Sequence, residues 1–296
     1  MRQFEKQTIC DLCKGHEILE IWGSSIDSIE SLDFSASSNA RLQLGLSKCG
    51  KCSLVFATFK LRQEVMTAQY SQSDELVHAL EFKNRTKSFV RALRKLRTIW
   101  TELSFDNQKV LDIGCAEGAF LNACHQLGLN ALGVEPSSEL VAWGVKHHEL
   151  RIVQGDYQSF GYDDAPYDII TLWDVIEHVA SPSHLLEKIS RVTKNGGLIV
   201  INTPIIDSWQ AKVLSRYWPF LLNVHTFYYT KKTLVQHCEK FGLYLIEHHK
   251  YSQTLSIGYL LSRFGIPFSL SRIFFEIPLR YGLGQQTFLF RKLPRE

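Results

Sequence analysis

The run Val110-Leu111-Asp112-Ile113-Gly114-Cys115-Ala116-Glu117-Gly118-Ala119-Phe120-Leu121 constrains the fold more than any other part of the chain. An apolar strand ends in an acid, turns through two glycines and enters a helical pattern. Gly114 lets the backbone approach a ligand closely, and Gly118 lets the helix pack on the strand. The spacing is GxxxG. It lacks the GxGxxG run that cradles a dinucleotide pyrophosphate, so NAD and FAD are disfavoured. A carboxylate ahead of the glycines repels phosphate and attracts an ammonium or sulfonium group.

Around this run, short apolar segments alternate with helical ones. Lys109–Ile113, Ala131–Glu135, Arg151–Gln154, Tyr167–Trp173 and Leu198–Asn202 read as strands. Helical stretches at 117–128, 137–148, 182–193 and 230–241 separate or follow them, and Leu243–His248 and Gln286–Arg291 supply two later strands. Such alternation implies an α/β fold with a parallel sheet covered on both faces. The composition agrees: 296 residues, 45% hydrophobic and 21% charged, is an ordinary globular mixture that excludes wholesale disorder and collagen-like chains. The nearly uncharged stretches at 198–206 and 255–271 are broken by Gly, Pro, Ser or Arg, so no membrane span is expected. The N-terminus lacks an apolar core behind a charge, which speaks against a secretory signal.

Seven cysteines, an odd number, suit a reducing cytoplasm better than a disulfide scaffold. Four form two CxxC pairs, Cys10/Cys13 and Cys49/Cys52. A two-residue gap lets both thiolates of a tight knuckle face one ion, and two knuckles complete a closed, structural four-thiolate shell for Zn²⁺. Gly50 is expected to give the second turn, and Ser35–Asn39 reads as a loop tip. Residues 1–58 are thus a zinc-ribbon-like module, and 59–105 a helical linker or cap. In that cap Phe82, Phe89, Leu93, Leu96 and Trp100 recur at helical spacing, with Lys83, Arg85, Lys87, Arg91, Arg94, Lys95 and Arg97 over the remaining surface. Cys124 and Cys238 read as small buried hydrophobes.

Downstream of the glycine bend, Gly133-Val134-Glu135-Pro136-Ser137 puts an acid at the end of the second strand, where it can accept hydrogen bonds from a ribose diol. Gly155-Asp156-Tyr157 follows the third strand, where an acid can take the exocyclic amine of adenine. Three acids at the carboxyl ends of three consecutive strands fit S-adenosylmethionine. The series VLDIGCAEGAFL, GVEPS, QGDY, YDIITLWDVIEHV and NGGLIVINTP resembles class I S-adenosylmethionine-dependent methyltransferases over about 107–245. That resemblance implies a Rossmann-like seven-stranded sheet of order 3-2-1-4-5-7-6 with its last strand antiparallel, spanning 106–296. It assigns Asp112 and Gly114 to the methionine end, Glu135 to the ribose and Asp156 to the adenine. Cys115 and Gly118 line the loop, Pro136 and Tyr157 flank the acids, and the backbone at Trp173 faces the cofactor.

The acceptor belongs beyond the same strand ends. Segments 203–229 and 250–284 emerge there and read as a lid. His178 and His225 are the candidates for proton removal, because imidazole titrates near neutrality; a packing or helix-end histidine is the alternative for each. Tyr228 and Tyr229 suggest a pocket wall beside His225, and His184 reads as an ordinary first-turn residue. Asp174-Val175-Ile176-Glu177-His178 is similar to ubiquinone-pathway O-methyltransferases, in which the matching acid, acid and His bind a divalent ion; Mg²⁺ would be the ion, although Asp174 is shorter than that family's Glu. The cysteine module is similar to sugar C-methyltransferases. Together these imply a small hydroxylated acceptor, sugar or nucleotide-sugar, in cell-surface polysaccharide or secondary-metabolite assembly. The alternatives are a quinone or phenol O-methyltransferase, an RNA methyltransferase gripping phosphates with the basic helix 82–100, and a non-catalytic binding protein. Net charge +3 is a small positive excess for a nucleic-acid binder. Phe, Leu and Ile mixed with Arg263, Arg272 and Arg280 over 255–282 allow peripheral membrane contact as well as a lid.

Overall fold

The computed structural model describes residues 4–25, 42–62, 65, 75–99, 108–158, 165–263, 266 and 268–294. The expected loop tip at Ser35–Asn39, and Trp100 of the helical pattern, lie outside these residues. The N-terminal part contains β1 (Phe4–Lys6), β2 (Ile18–Trp22), β3 (Leu46–Cys49), β4 (Val55–Ala57), β5 (Phe59–Leu61) and the long helix α1 (Glu75–Ile99). Then come β6 (Lys109–Ile113), α2 (Ala119–Gln126), β7 (Asn130–Glu135), α3 (Ser138–His148), β8 (Ile152–Gln154), β9 (Tyr167–Trp173), α4 (Pro182–Val192) and β10 (Thr193–Pro204). The last part holds α5 (Trp209–Leu214), β11 (Phe227–Tyr228), α6 (Lys231–Glu239), β12 (Leu243–Lys250), β13 (Gln253–Ser256), α7 (Ile257–Arg263), α8 (Phe268–Ser271), β14 (Pro278–Tyr281) and β15 (Gln285–Lys292).

A seven-stranded sheet runs β8-β7-β6-β9-β10-β15-β12. Counted along the chain this is the order 3-2-1-4-5-7-6, and β15 is antiparallel to both neighbours, as expected. Period-two alternation sorts the strand residues onto two buried faces. Leu111, Ile170, Ile199, Ile201, Phe288 and Phe290 share one core with Leu185, Leu186 and Ile189 of α4 and Leu234 of α6. Val110, Ile169, Leu198, Val200 and Leu289 share the other with Phe89 and Leu93 of α1 and Phe120 of α2. Local signals set the helix starts: Ser181 caps α4 ahead of Pro182, Ser137 caps α3, and Thr230 with Thr233 forms a capping box on α6.

The cysteine module carries its own sheet, ordered β11-β4-β3-β2. Its fourth strand, β11, comes from the segment expected to be lid. The other lid segment is a ladder of β13 on β14 with α7 and α8 between them. It docks on α1: the Ser256 amide donates to Glu81 Oε2 at 3.0 Å, the Ser256 hydroxyl donates to Glu81 Oε1, and the Thr254 amide donates to Ser88 Oγ at 2.8 Å. Leu270, Ile273 and Ile277 remain exposed there. Among the described residues no helix is long and apolar enough to cross a membrane.

Candidate active site

The bend after β6 is built as its glycines require. Gly114 has φ +72° and Gly118 φ +86°. A Cβ on Gly114 would lie 2.7 Å from Val175 Cγ2, and one on Gly118 would lie 2.4 Å from Leu150 Cδ1. The amides of Gly114 and Cys115 both donate to the Val134 carbonyl, at 2.8 and 3.2 Å, which ties the bend to β7. Glu135 closes the same junction: its Oε2 accepts from the Ala116 amide and its Oε1 from the Ser137 amide, each at 2.9 Å. Pro136 is half-buried beside it. Beyond β8, Asp156 is half-buried and accepts from the Gln158 amide at 2.9 Å, while Tyr157 is buried in the core. Cys115 is buried against Gly133, and burial pushes its thiol well up, so it is no nucleophile.

Asp112 is 1% exposed and accepts from Thr171 Oγ1 at 2.6 Å. Burial pushes its carboxyl up to about 8; the Thr171 hydrogen bond and Arg85 oppose the rise, and Glu135 and Glu117 add to it. Glu117 is completely buried and pairs with Arg85 Nη1 at 3.1 Å. Three carboxylates therefore converge on the bend with the Arg85 guanidinium facing them. Neither Arg85 nor Glu117 stood out as a site residue in the sequence. The available signal was position: Arg85 lies between Phe82 and Phe89 on the apolar stripe of α1. Trp173, at the end of β9, directs its ring into a cluster with Phe89, Phe120 and Tyr251, centroids 5.0, 5.5 and 5.6 Å away. Its buried Nε1 has no hydrogen-bond partner among the described residues.

On the acceptor side the fold brings His178 and His225 together, ring centroids 4.5 Å apart and nearly perpendicular. Ligand atoms of Glu177, His178 and His225 lie within 4.8 Å of one another. His178 Nδ1 donates to the Val224 carbonyl at 3.1 Å, which makes Nε2 the acceptor nitrogen of the neutral ring. Burial lowers the His178 pKa to about 4. Glu177 is 1% exposed; its Oε2 accepts from Thr203 at 2.9 Å, and its Oε1 is buried with no hydrogen-bond partner among the described residues. Burial and Asp174 push the Glu177 carboxyl well up. Asp174 does not join this trio. Both its oxygens accept from Gln285 Nε2, at 2.7 and 2.8 Å, and Asn202 Nδ2 donates to Oδ1 at 2.9 Å. The acid-acid-His set implied by resemblance is thus replaced by one acid and two imidazoles. Mg²⁺ prefers oxygen ligands, so this donor set does not fit it. Tyr228 and Tyr229 are not walls of an open pocket: both are buried, Tyr228 donating to the Leu222 carbonyl at 3.0 Å and Tyr229 meeting His237 Nδ1 at 3.0 Å. His184 occupies the first turn of α4, as expected.

The four module cysteines converge too. Cys10 Sγ lies 3.4 Å from Cys52 Sγ, and Cys13 Sγ 3.4 Å from Cys49 Sγ. A tetrahedral ion with ligands at about 2.3 Å sets its sulfurs about 3.8 Å apart, so the cluster needs little adjustment to close on one. The two knuckles match. In each, the first cysteine's carbonyl accepts from the amide four residues on (Lys14, Ser53), and its amide donates five residues on (Gly15, Leu54). The left-handed residues are Lys14 and Ser53, φ +56° and +67°, so the second turn pivots at Ser53 and not at Gly50. Gly50 is small for another reason: a Cβ there would lie 2.4 Å from Glu17 Cδ. Burial raises Cys49, but hydrogen bonds from the Cys52 amide, the Cys13 thiol and the Lys51 amide outweigh it and bring the thiol to about 7.

A family model described as a methyltransferase domain matches residues 82–248. The ubiquinone biosynthesis O-methyltransferase of Nitrobacter winogradskyi is 28% identical over 175 residues, covering 55% of this chain and 64% of that protein. The protein of the same name from Maricaulis maris is 31% identical over 108 residues, covering 34% of this chain and 42% of that protein. The chain therefore spans less than two thirds of the length of these relatives. Magnesium protoporphyrin IX methyltransferase from Synechocystis PCC 6803, solved with bound SAH, superposes with a TM-score of 0.53 at 10% identity, over 78% of this chain and 100% of that one. At that identity the likeness shows the fold alone.

Proposed function

Since the chain belongs to the methyltransferase-domain family, of the class I S-adenosylmethionine-dependent kind, we propose that it methylates a small hydroxylated metabolite. The observation that carries this reading is the group of buried carboxylates around the Gly114–Gly118 bend. Even with Asp112 holding a proton, Glu117 and Glu135 against the single Arg85 guanidinium leave the site one acid in excess, which favours a cationic ligand. S-adenosylmethionine, when bound, supplies a methyl group on a positively charged sulfur that leaves as a neutral thioether. Asp112 meets the ammonium of its methionine end. Glu135, already fixed by two backbone amides, uses its remaining lone pairs for the ribose hydroxyls. Asp156 takes the adenine amine, Gly114 and Gly118 leave room for the ligand, and Cys115, Pro136, Tyr157 and the Trp173 backbone frame it.

His225 removes the acceptor proton. His178 is a positioning residue: held by Val224, the residue before His225, it fixes the loop that presents the base. The rest of the catalysis is alignment of donor and acceptor. The four-cysteine site holds Zn²⁺ in a structural role, with 1–58 as the zinc module, 59–105 as a helical cap and 106–296 as the catalytic domain. A sugar or nucleotide-sugar is the preferred acceptor, on the likeness of that module to sugar C-methyltransferases. A phenol is the second reading, favoured by the names of the curated relatives. RNA ranks behind both, because Arg85 and Arg91 of the basic helix are engaged internally, with Glu117 and with Ser88 and Thr254. Labelled methyl donor offered with nucleotide sugars, catechols and total RNA tests the reading. Label in a small hydroxylated compound supports it, and label in RNA alone contradicts it.

A further inference from the structure

We propose that metal loading at the four-cysteine site sets the position of His225, so that the cysteine module governs the acceptor side of the active site independently of the cofactor side. This rests on the reading of His225 as the acceptor-side base. The module and the His225 loop share a sheet. β11 starts two residues after His225 and pairs with β4, Phe227 opposite Phe56 and Tyr228 opposite Val55, with the two phenylalanine rings 6.4 Å apart. The Ala57 amide donates to the Thr226 carbonyl at 2.9 Å. On the other side of His225, Asn223 Oδ1 accepts from the Gln43 amide at 2.8 Å. The opposing jaw is Glu177, whose carbonyl accepts from the Thr226 and Phe227 amides at 2.8 and 3.1 Å. The His225 loop is therefore clamped between the catalytic domain and the module.

The cysteines connect that clamp to a fixed point. Cys49 ends β3, and Cys52 lies three residues before β4, so the second knuckle is the turn of the hairpin that carries β11. The first knuckle is anchored on the catalytic domain: Asp11 accepts from the Ser183 amide at 2.7 Å and from Ser181 Oγ at 3.2 Å, and Lys240 donates to the Leu12 carbonyl. An ion shared by Cys10, Cys13, Cys49 and Cys52 joins the anchored knuckle to the hairpin. Without it, four sulfurs at these separations have nothing to bind them together, and the hairpin keeps only its strand pairing and packing. The cofactor bend has a separate support. Its bonds run to Val134, Glu135 and Thr171 of the seven-stranded sheet and, through Glu117, to Arg85 of α1, all outside the cysteine module.

Hydrogen–deuterium exchange on the full chain, zinc-loaded and after chelation, tests this with S-adenosylhomocysteine titration in parallel. Metal removal should speed exchange of peptides covering 223–229 by about tenfold or more while leaving 110–118 unchanged. S-adenosylhomocysteine affinity should stay within about threefold. Unchanged exchange at 223–229 overturns the proposal, and so does equal loss at 110–118 together with loss of ligand binding. Asn223→Ala, which leaves every cysteine in place, should retain zinc and ligand binding yet loosen 223–229; a variant indistinguishable from wild type there also overturns it. None of these readouts needs the acceptor. A wrong base assignment would instead show as full turnover by His225→Ala.

Discussion

Binding of S-adenosylmethionine should release a proton, and Asp112 is its source. With its carboxyl pushed up to about 8, Asp112 is roughly nine-tenths protonated at pH 7 in the unliganded protein. An ammonium beside it makes the carboxylate the favoured form. The expected release at pH 7 is then ~0.9 proton, less about 0.1 taken up by the α-amino group of the ligand, which titrates near 8. Ionising the acid at pH 7 costs about 1.4 kcal/mol of the binding energy, one pKa unit's worth, and the cost vanishes above pH 8. Affinity should therefore rise from pH 7 to about 8, where loss of the ligand's ammonium proton begins to oppose the gain. The same shift fixes the sign for folding. From about pH 4 to 8 the folded chain holds a proton that the unfolded chain gives up, so this group's contribution to stability falls as pH rises. Calorimetry at pH 7 in buffers of low and high ionisation enthalpy reads the released proton directly, and Asp112→Asn should abolish it. A wild-type binding enthalpy that does not depend on the buffer would refute this reasoning.

Arg85→Ala strands Glu117, a completely buried carboxylate, and should cost about 3 kcal/mol, read as a lowered denaturant midpoint; a midpoint unchanged from wild type contradicts the pairing. Elemental analysis should find about one zinc per chain, and chelation should lower the melting temperature; a metal-free chain melting at the same temperature refutes the structural role. His178 and His237 each titrate near 4 in the folded chain, lowered chiefly by burial, against a partial opposing effect of Asp11 on His237. Because the unfolded chain takes up these protons first, stability should fall as pH drops from about 6.5 to 4, by on the order of 1–2 kcal/mol per histidine between pH 7 and 5. Urea unfolding of His237→Gln should show a shallower decline over that range, and a decline as steep as wild type's contradicts the assignment.

The sheet was legible because its strands are local patterns. Val110 to Ile113 is a mostly apolar run ending at Gly114, and Leu198 to Asn202 is one starting after Gly197, and buried parallel strands look like that wherever they occur. Strand ends moved by a residue or two, except β10, which starts earlier, at Thr193. The acids proposed for the cofactor could be placed for a related reason: Asp112 lies near the end of β6, Glu135 ends β7 and Asp156 lies two residues past β8, so strand order sets their order in space. Long-range closure was not legible. His178 and His225 meet where β11 crosses to a sheet made largely of residues before 58 and the loop before it bonds to Glu177 and His178, and a two-residue strand carries no periodicity of its own. Glu117 reads as a loop acid until Arg85 arrives from a helix 32 residues earlier. Ser53, not Gly50, took the left-handed turn because the knuckle geometry places that conformation one residue past the second cysteine, whatever the side chain there.

The most direct test of the account is a crystal structure of the chain with S-adenosylhomocysteine. The ligand should lie over the Gly114–Gly118 bend, its amino group within hydrogen-bond reach of Asp112, its ribose on Glu135 and its adenine amine on Asp156. Density for the nucleoside elsewhere, or a bend occupied with those three carboxylates turned away from it, would contradict the account.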